Sequence, residues 1–241
     1  MKGRLNAESW VLTTPVAHRG FHGESCGENS LSAYKSAVEH GYPIEMDVQL
    51  TKDGVLVCFH DDSLKRVTGV DGYINDFTYE ELKHLKILNT QDYIPTFEEF
   101  LKLVNGQVPL MIEIKRQRSK NYDIAKLTTD ALKDYKGEFV VQSFDPFVML
   151  KVKKYAPDYL RGQLGGVAKK GELPFIQYVV VKYMPFNFLL KPDYINYLID
   201  LMPINKKIPT ICWTVRTQEN LLKAKELKVN YVFENVNPKC C

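Results

Sequence analysis

The sequence predicts a (β/α)8 barrel, an α/β fold in which eight parallel strands alternate with helices. Eight short apolar runs are typical of strands, and helical patterns separate most of them. The 241 residues are also close to the usual size of this fold, about 250 residues. An open doubly wound sheet is the second interpretation, but no glycine-rich dinucleotide motif follows the first strand.

The strands are predicted where apolar and β-branched residues form short runs between turn signals. In chain order they cover residues 15–17, 44–50, 110–114, 139–142, 160–164, 178–183, 210–215 and 231–233. The helices are predicted from apolar periodicity, and glycines at positions 41 and 137 end two of them. They cover residues 31–40, 124–135, 146–155, 194–201 and 218–227.

The second strand runs into a turn at Asp53-Gly54 and a further apolar run, 55–59, which predicts a β-hairpin. A two-residue loop would place His60 opposite Asp47, and a four-residue loop would place it opposite Glu45. A three-residue loop would turn His60 to the other face unless a bulge restored it.

A single domain is expected for residues 1–241, with an insertion at about 51–108 that follows the second barrel strand. Two capping boxes, Thr78-x-x-Glu81 and Thr96-x-x-Glu99, predict helix starts within it. We expect such an insertion to cap the catalytic face.

Composition excludes several classes of protein. The chain is 45% hydrophobic and 25% charged, so it can bury a core, and its net charge of +3 is too small to favour nucleic acid as a partner. No signal-peptide core is present, and no apolar run approaches the roughly 18 residues of a membrane span. The five cysteines form no Cys-x-x-Cys pair. We therefore expect a soluble cytoplasmic protein without stable membrane insertion, and the oligomeric state stays open.

Three carboxylates end or line predicted strands. Glu45 and Asp47 are two residues apart and share one strand face, and Glu113 ends the apolar run 110–112. Carboxylates directed into a barrel repel one another unless a cation neutralises them, and oxygen ligands suit Mg²⁺ or Ca²⁺. Salt bridges that close strand ends are the alternative interpretation.

Two histidines and two cations accompany these acids at the carboxyl ends of strands, where catalytic groups collect in barrels. His18 and His60 can deprotonate a nucleophile and protonate a leaving alkoxide. Arg19 and Lys115 can bind a phosphate, or else pair with the acids. Trp213 offers an apolar face to a small polyol or packs in the core. The other histidines are not assigned to the site; they are His22, His40 and His84.

The chain resembles the glycerophosphodiester phosphodiesterase family. The matching segments are HRG, ENS, IEMDVQLTKDG, HDDSLKRVTG, IPTFEEFL, MIEIK and WTV. They are dense over residues 16–115 and return at 143–145 and 213–215. The resemblance implies a TIM barrel with a small insertion after the second strand.

The resemblance also implies the roles of individual residues. They are Glu45, Asp47 and Glu113 as ligands of one divalent cation, His18 and His60 as the acid–base pair, Arg19 and Lys115 as phosphate contacts, and Glu28, Asn29 and Trp213 beside the substrate.

The sequence departs from the family pattern at a few positions. Gly27 replaces the usual proline, Arg216 stands where asparagine is more common, and the last strand ends Phe-Glu-Asn-Val-Asn-Pro. We expect these departures to affect substrate preference and to leave the metal and histidine set untouched.

The expected function is metal-dependent hydrolysis of glycerophosphodiesters to sn-glycerol 3-phosphate and an alcohol, with Ca²⁺ or Mg²⁺ as cofactor. A lysophospholipase D-like enzyme or a phosphodiesterase of glycerophosphate polymers is the alternative within the same chemistry. A catalytically silent ligand-binding barrel is the alternative from another class.

Overall fold

A computed structural model describes residues 4–116, 122–166, 174–202 and 207–240 of the chain. Eight strands pair in parallel all the way round and close into a barrel, because the first strand pairs with both the second and the last. The predicted (β/α)8 barrel is therefore confirmed. The strands are β1 (Val16–Ala17), β2 (Ile44–Leu50), β3 (Leu56–Cys58), β4 (Leu110–Ile114), β5 (Phe139–Ser143), β6 (Arg161–Gly165), β7 (Tyr194–Leu198), β8 (Thr210–Val215) and β9 (Tyr231–Phe233), of which β3 pairs antiparallel with β2 outside the barrel.

Helices surround the barrel and cover its outer face. Both predicted capping boxes form, with Glu81 bonded to the backbone of Thr78 and Glu99 to that of Thr96. The helices are α1 (Trp10–Thr13), α2 (Leu31–His40), α3 (Lys65–Thr68), α4 (Tyr79–Leu82), α5 (Phe97–Val104), α6 (Ile124–Leu132), α7 (Pro146–Tyr155), α8 (Phe175–Tyr183), α9 (Asn187–Leu190) and α10 (Gln218–Leu227), with short 3-10 turns at Ile74–Asp76, Ile199–Leu201 and Pro238–Cys240.

Two predicted elements are wrong: a helix forms where a strand was predicted, and a strand forms where a helix was predicted. The predicted strand at 178–183 lies inside helix α8, and the predicted helix at 194–201 is strand β7 followed by a 3-10 turn. The valine run in α8 has a high strand propensity, but tertiary context overrides such a preference. Asn196 of β7 is buried in the barrel, and its side chain donates to Gln142 Oε1 at 3.1 Å.

The barrel interior is divided into an apolar end and a polar end. At the amino-terminal end, side chains from alternate strand positions pack with Val11 of α1, which closes that opening. They include Val16, Met111, Val140, Tyr194, Ile211 and Val232. The interior positions further along the strands carry polar groups, so the carboxyl-terminal end of the barrel is the polar one.

The segment after β2 builds a core of its own. Buried side chains from Val57 to Ile94 form a cluster separate from the barrel core. Helix α5, in contrast, packs on the barrel beside α2, with the rings of Tyr34 and Phe100 4.4 Å apart.

Three cysteines are described as free thiols, at positions 26, 58 and 212. The side chains of the terminal pair at 240–241 lie outside the described residues. Among the helices that the structure describes, none is long and apolar enough to cross a membrane.

Candidate active site

Three buried carboxylates meet at the polar end of the barrel. Glu45 and Asp47 point inward from β2, and the β2–β4 register sets Asp47 beside Glu113. One oxygen from each of the three lies within 4.8 Å of the other two. The sequence placed Glu45 and Asp47 on one strand face and Glu113 at the end of an apolar run, and the structure brings all three together.

The electrostatics of this cluster favour a cation. Burial, and then repulsion from Asp47 and Glu113, raises the pKa of Glu45 well above its usual range. Burial also raises the pKa of Glu113, although Lys115 opposes the shift. Asp47 Oδ1 is buried and points into the cluster, with Lys115 Nζ 2.8 Å away as its ion-pair partner. Since a divalent ion would relieve the repulsion and use such an oxygen, the acidic cluster could hold a metal.

The cluster is supported from α2 and from the turn after β1. Asn29 is 2% exposed, and its amide donates to Asp47 Oδ2 at 2.8 Å. The hydroxyl of Tyr34 donates to Asn29 Oδ1 at 2.8 Å, which fixes the amide. The backbone N–H of Arg19 donates to Glu45 Oε2 at 3.0 Å. Asn29 thus contacts a carboxylate, and its side chain is shielded from the cleft.

The two candidate phosphate contacts pair with acids in this structure. Lys115 Nζ lies 2.8 Å from Asp47 and 2.6 Å from Glu113. Arg19 lies 2.8 Å from Glu28 and 3.4 Å from Asp47. The site therefore holds two positive side chains against its three central carboxylates.

Glu28 lies behind Arg19 rather than in the cleft wall. Besides Arg19, it accepts two hydrogen bonds from Arg66, at 2.7 and 2.8 Å. Burial alone would raise the pKa of Glu28, but the bonds from Arg66 and the charge of Arg19 outweigh burial and lower it.

His60 reaches the site although the hairpin has neither the two-residue nor the four-residue loop that would place it beside the carboxylates directly. The hairpin pairs Val48 with Cys58, and Thr51 closes a three-residue loop by bonding to Val55. This register would turn His60 away from the carboxylates. The chain leaves the ladder after Phe59, however, and the Gln49 amide donates to three successive carbonyls there, those of Phe59, His60 and Asp61. This bend returns His60 to the face of the carboxylates, as a β-bulge in the hairpin would, and His60 lines the cleft.

His18 belongs to a network that the sequence analysis missed. Its Nδ1 lies 2.7 Å from Glu234 Oε2, and its Nε2 lies 4.0 Å from Glu45 Oε2. Arg216 contacts the same Glu234 oxygen at 3.1 Å. Burial lowers the pKa of His18 to about 4, although the bond to Glu234 opposes the shift.

The expectation that the departures leave the histidine set untouched is wrong, because Glu234 contacts His18 directly and Arg216 contacts Glu234. Their positions supplied a signal: Glu234 directly follows β9, Arg216 directly follows β8, and both depart from the family pattern at the catalytic end of the barrel.

A cleft of about 310 Å³ opens over the site. His18, Arg19, Glu45, His60 and Glu113 line its polar part. The rest of the lining is uncharged except for Arg216, and sequence reasoning placed only Trp213 within it. The other residues there are Gln142, Phe144, Leu164, Asn196, Thr214, Arg216 and Val232.

Trp213 is held by two neighbours. Its ring meets that of Phe144 edge to face at 5.4 Å, and its indole N–H donates to the Gly165 carbonyl at 3.2 Å. The ring is therefore fixed as a flat wall of the cleft.

His22, which was not assigned to the site, lies near His18 and Glu234, with the ligand atoms of all three within 4.8 Å.

Comparison with known proteins gives a consistent result. Residues 18–236 match the model of the glycerophosphoryl diester phosphodiesterase family. A glycerophosphodiester phosphodiesterase of Caldanaerobacter subterraneus is 32% identical over 225 residues, which cover 88% of this chain and 89% of that protein. One of Bacillus altitudinis is 43% identical over 115 residues, 45% of this chain and 46% of that protein.

Solved structures agree on the fold. A phosphodiesterase of Oleispira antarctica, in complex with its product sn-glycerol-3-phosphate, superposes with a TM-score of 0.77 at 22% identity. The superposition covers 92% of each chain.

Proposed function

Since the chain belongs to the glycerophosphoryl diester phosphodiesterase family and is a phosphoric diester hydrolase, we propose that it cleaves glycerophosphodiesters to sn-glycerol 3-phosphate and an alcohol with the help of a divalent cation. The observation that carries this proposal is that three carboxylates, two histidines and two cationic side chains meet at the polar end of the barrel, where five of the seven line one cleft. The product bound by the Oleispira antarctica enzyme supports the choice of product. The complete set also disfavours a silent ligand-binding barrel.

Glu45, Asp47 and Glu113 would hold the cation, either Ca²⁺ or Mg²⁺, because all three offer only oxygen. When bound, such an ion polarises phosphoryl oxygen and stabilises charge that develops on it. The three acids, the two cationic side chains and a divalent ion would leave one net positive charge. This charge balances the single negative charge of a phosphodiester.

The two histidines would move the protons. Each has a carboxylate at Nδ1, Glu234 for His18 and Asp61 for His60, so each presents Nε2 to the cleft. His18 is the deeper of the two, with 10% of its side chain exposed against 34% for His60. His18 Nε2 would accept the proton of the attacking hydroxyl group, and His60 would protonate the leaving alcohol at the mouth. The attacking group would be water, or else a glycerol hydroxyl, in which case water would then open the resulting cyclic phosphate.

The remaining site residues would act on substrate directly or through a neighbour. Arg19 and Lys115 would turn part of their charge to the phosphate, and Trp213 would cover the carbon frame of glycerol. Glu28 and Asn29 are better described as positioning residues, since Glu28 bonds to Arg19 and Asn29 to Asp47.

A coupled assay for glycerol 3-phosphate with glycerophosphocholine, with and without chelator, tests the proposal. Activity should need added cation and should fall by at least about a hundredfold in His18→Ala and in His60→Ala. The exposed His84 supplies the control variant His84→Ala, which should keep full activity. Full activity in excess chelator would show that the reaction needs no divalent cation. A histidine variant with wild-type activity would show that this histidine is not required.

We also place the reaction in the cytoplasm. Cys58 and Cys212 are buried thiols without a disulfide partner within the described residues, as a reducing compartment allows. Cell fractionation followed by the same assay tests this location, and activity confined to an extracellular fraction would contradict it.

A further inference from the structure

Helix α8 is apolar on nearly every side and yet is poorly covered. Of its nine residues, Phe-Ile-Gln-Tyr-Val-Val-Val-Lys-Tyr, only Val181 is buried. A helix that is hydrophobic all round is normally enclosed by a protein core or by lipid. Within the described residues, α8 has no such cover.

The neighbouring elements extend this exposed face. The five most exposed large apolar side chains of the described residues all lie on α7, α8 and α9, with Ile176 at 76% and Phe188 at 72%. One turn separates α8 from α9, and Phe147 of α7 lies 5.2 Å from Phe186, ring to ring. We name this the apolar surface; it comprises Phe147, Phe175, Ile176, Tyr183, Phe188 and Leu189.

The charges beside the apolar surface are mostly positive, and the two nearby acids, Asp145 and Asp123, cap α7 or pair with its Lys151. Lys182 Nζ lies 5.3 Å from the Tyr183 ring, and Lys153 Nζ donates to the Leu189 carbonyl at 2.6 Å. Lys191 ends α9. Helices α7, α8 and α9, all within the described residues, contain no Asp or Glu. An anionic partner is therefore favoured over a neutral or cationic one.

Helix α8, which carries half of the apolar surface, adjoins the cleft through the end of β6. Gly166 N–H points to the Val181 carbonyl of α8 at 3.4 Å. The preceding residue, Gly165, accepts the indole N–H of Trp213, and Leu164 lines the cleft. The end of one strand thus lies between helix α8 and the Trp213 side of the cleft.

We propose that the apolar surface docks on an anionic phospholipid membrane. Aromatic and aliphatic side chains would enter the interfacial region, while lysine ammonium groups stay at the level of the phosphates. Docking brings the cleft next to the bilayer. If the function proposed above holds, this gives the enzyme access to glycerophosphodiesters that carry an acyl chain, such as lysophospholipids; the docking itself does not depend on that function.

Flotation of the full chain with vesicles tests the docking. We expect binding to phosphatidylcholine vesicles that contain phosphatidylglycerol, and weaker binding to vesicles of phosphatidylcholine alone or at high salt. The double variant Phe175→Ser/Ile176→Ser should lower the partition coefficient by at least about tenfold. Leu222→Ser, an equally polar change at a 58% exposed side chain of α10, should not alter it.

Hydrolysis of glycerophosphocholine serves as the folding control, because Phe175 and Ile176 lie outside the cleft lining. If the double variant hydrolyses substrate normally but no longer floats with vesicles, docking is supported. If the wild-type chain floats but has no activity, docking stands and the proposed function is rejected. Absence of vesicle binding, or equal binding by the double variant, overturns docking. A dimer in solution that the double variant dissociates also overturns it, since a second copy would then cover the apolar surface.

Discussion

Glu234 holds the deeper histidine of the site: its Oε2 lies 2.7 Å from Nδ1 of His18. Burial alone would raise the pKa of Glu234, but the bond with His18 and the charge of Arg216 outweigh burial and lower it. The carboxylate is therefore an acceptor, which fixes the proton of His18 on Nδ1 and leaves Nε2 free to accept another. Glu234 is a positioning residue in this arrangement.

We predict that Glu234→Ala lowers kcat by about ten- to a hundredfold and leaves KM nearly unchanged, because the imidazole loses its orientation while the substrate contacts remain. Steady-state kinetics on glycerophosphocholine measure both constants. Glu219→Ala, on the exposed side of α10, is the matched control. A Glu234→Ala enzyme with wild-type kcat would show that His18 needs no such partner.

The effect of His60→Ala is predicted to depend on the leaving group. A choline alkoxide needs a proton as it departs, whereas a nitrophenolate does not. Loss of His60 should therefore slow glycerophosphocholine hydrolysis by about a hundredfold or more and slow a nitrophenyl ester of glycerol phosphate far less. In His18→Ala the hydrolysis of both substrates should slow by the same factor. Equal losses for the two substrates in His60→Ala would reject its role as the acid.

Cation binding is predicted to stabilise the fold, which provides a test independent of activity. A ligand at about a hundred times its Kd adds about 2.7 kcal/mol to the free energy of unfolding, or about 5–10 °C in Tm for a chain of this size. Calorimetry with Ca²⁺ or Mg²⁺ should show this rise.

Glu45→Gln supplies the companion experiment. The variant should melt no lower than the cation-free wild type, because it removes one of three buried like charges. It should gain little or nothing from added cation. A cation-induced rise in Tm as large as that of the wild type would exclude Glu45 as a ligand.

Glu28→Gln is predicted to destabilise the protein in a pH-dependent way. The pKa of Glu28 is lowered below 4.5 in the folded state, so the folded chain binds fewer protons there than the unfolded one. The stabilisation is complete above pH 4.5 and is lost as pH falls through the folded pKa. Urea unfolding should show a deficit of about 1–3 kcal/mol at neutral pH that shrinks in acid. The exposed Glu24→Gln is the control, and a deficit that is constant with pH would contradict the prediction.

The parts of the fold that the sequence predicted are those where local pattern and tertiary context agree. Strands β2, β4, β8 and β9 have the predicted bounds, since their apolar runs are fully or nearly buried. The exchange of α8 and β7 shows where agreement fails. A buried asparagine inside a barrel becomes favourable only through a partner such as Gln142, and that partner lies 54 positions away in the chain.

The candidate site follows a similar rule. Glu45, Asp47 and Glu113 could be placed from strand periodicity, because neighbouring parallel strands bring equivalent positions together. The route of His60 could not, because it depends on how the Gln49 side chain bonds to three carbonyls. The link between His18 and Glu234 is equally invisible to local pattern, since 216 positions separate the two residues.

The pairing of β1 with β9 brings His18 and Glu234 together. His18 follows the first strand and Glu234 follows the last, so their hydrogen bond forms only once the barrel has closed. The three carboxylates lie on β2 and β4 and need no contact with β9, whereas the deeper histidine has its partner only when β9 is paired with β1. We therefore expect the orientation of His18, unlike the assembly of the carboxylates, to depend on closure of the barrel.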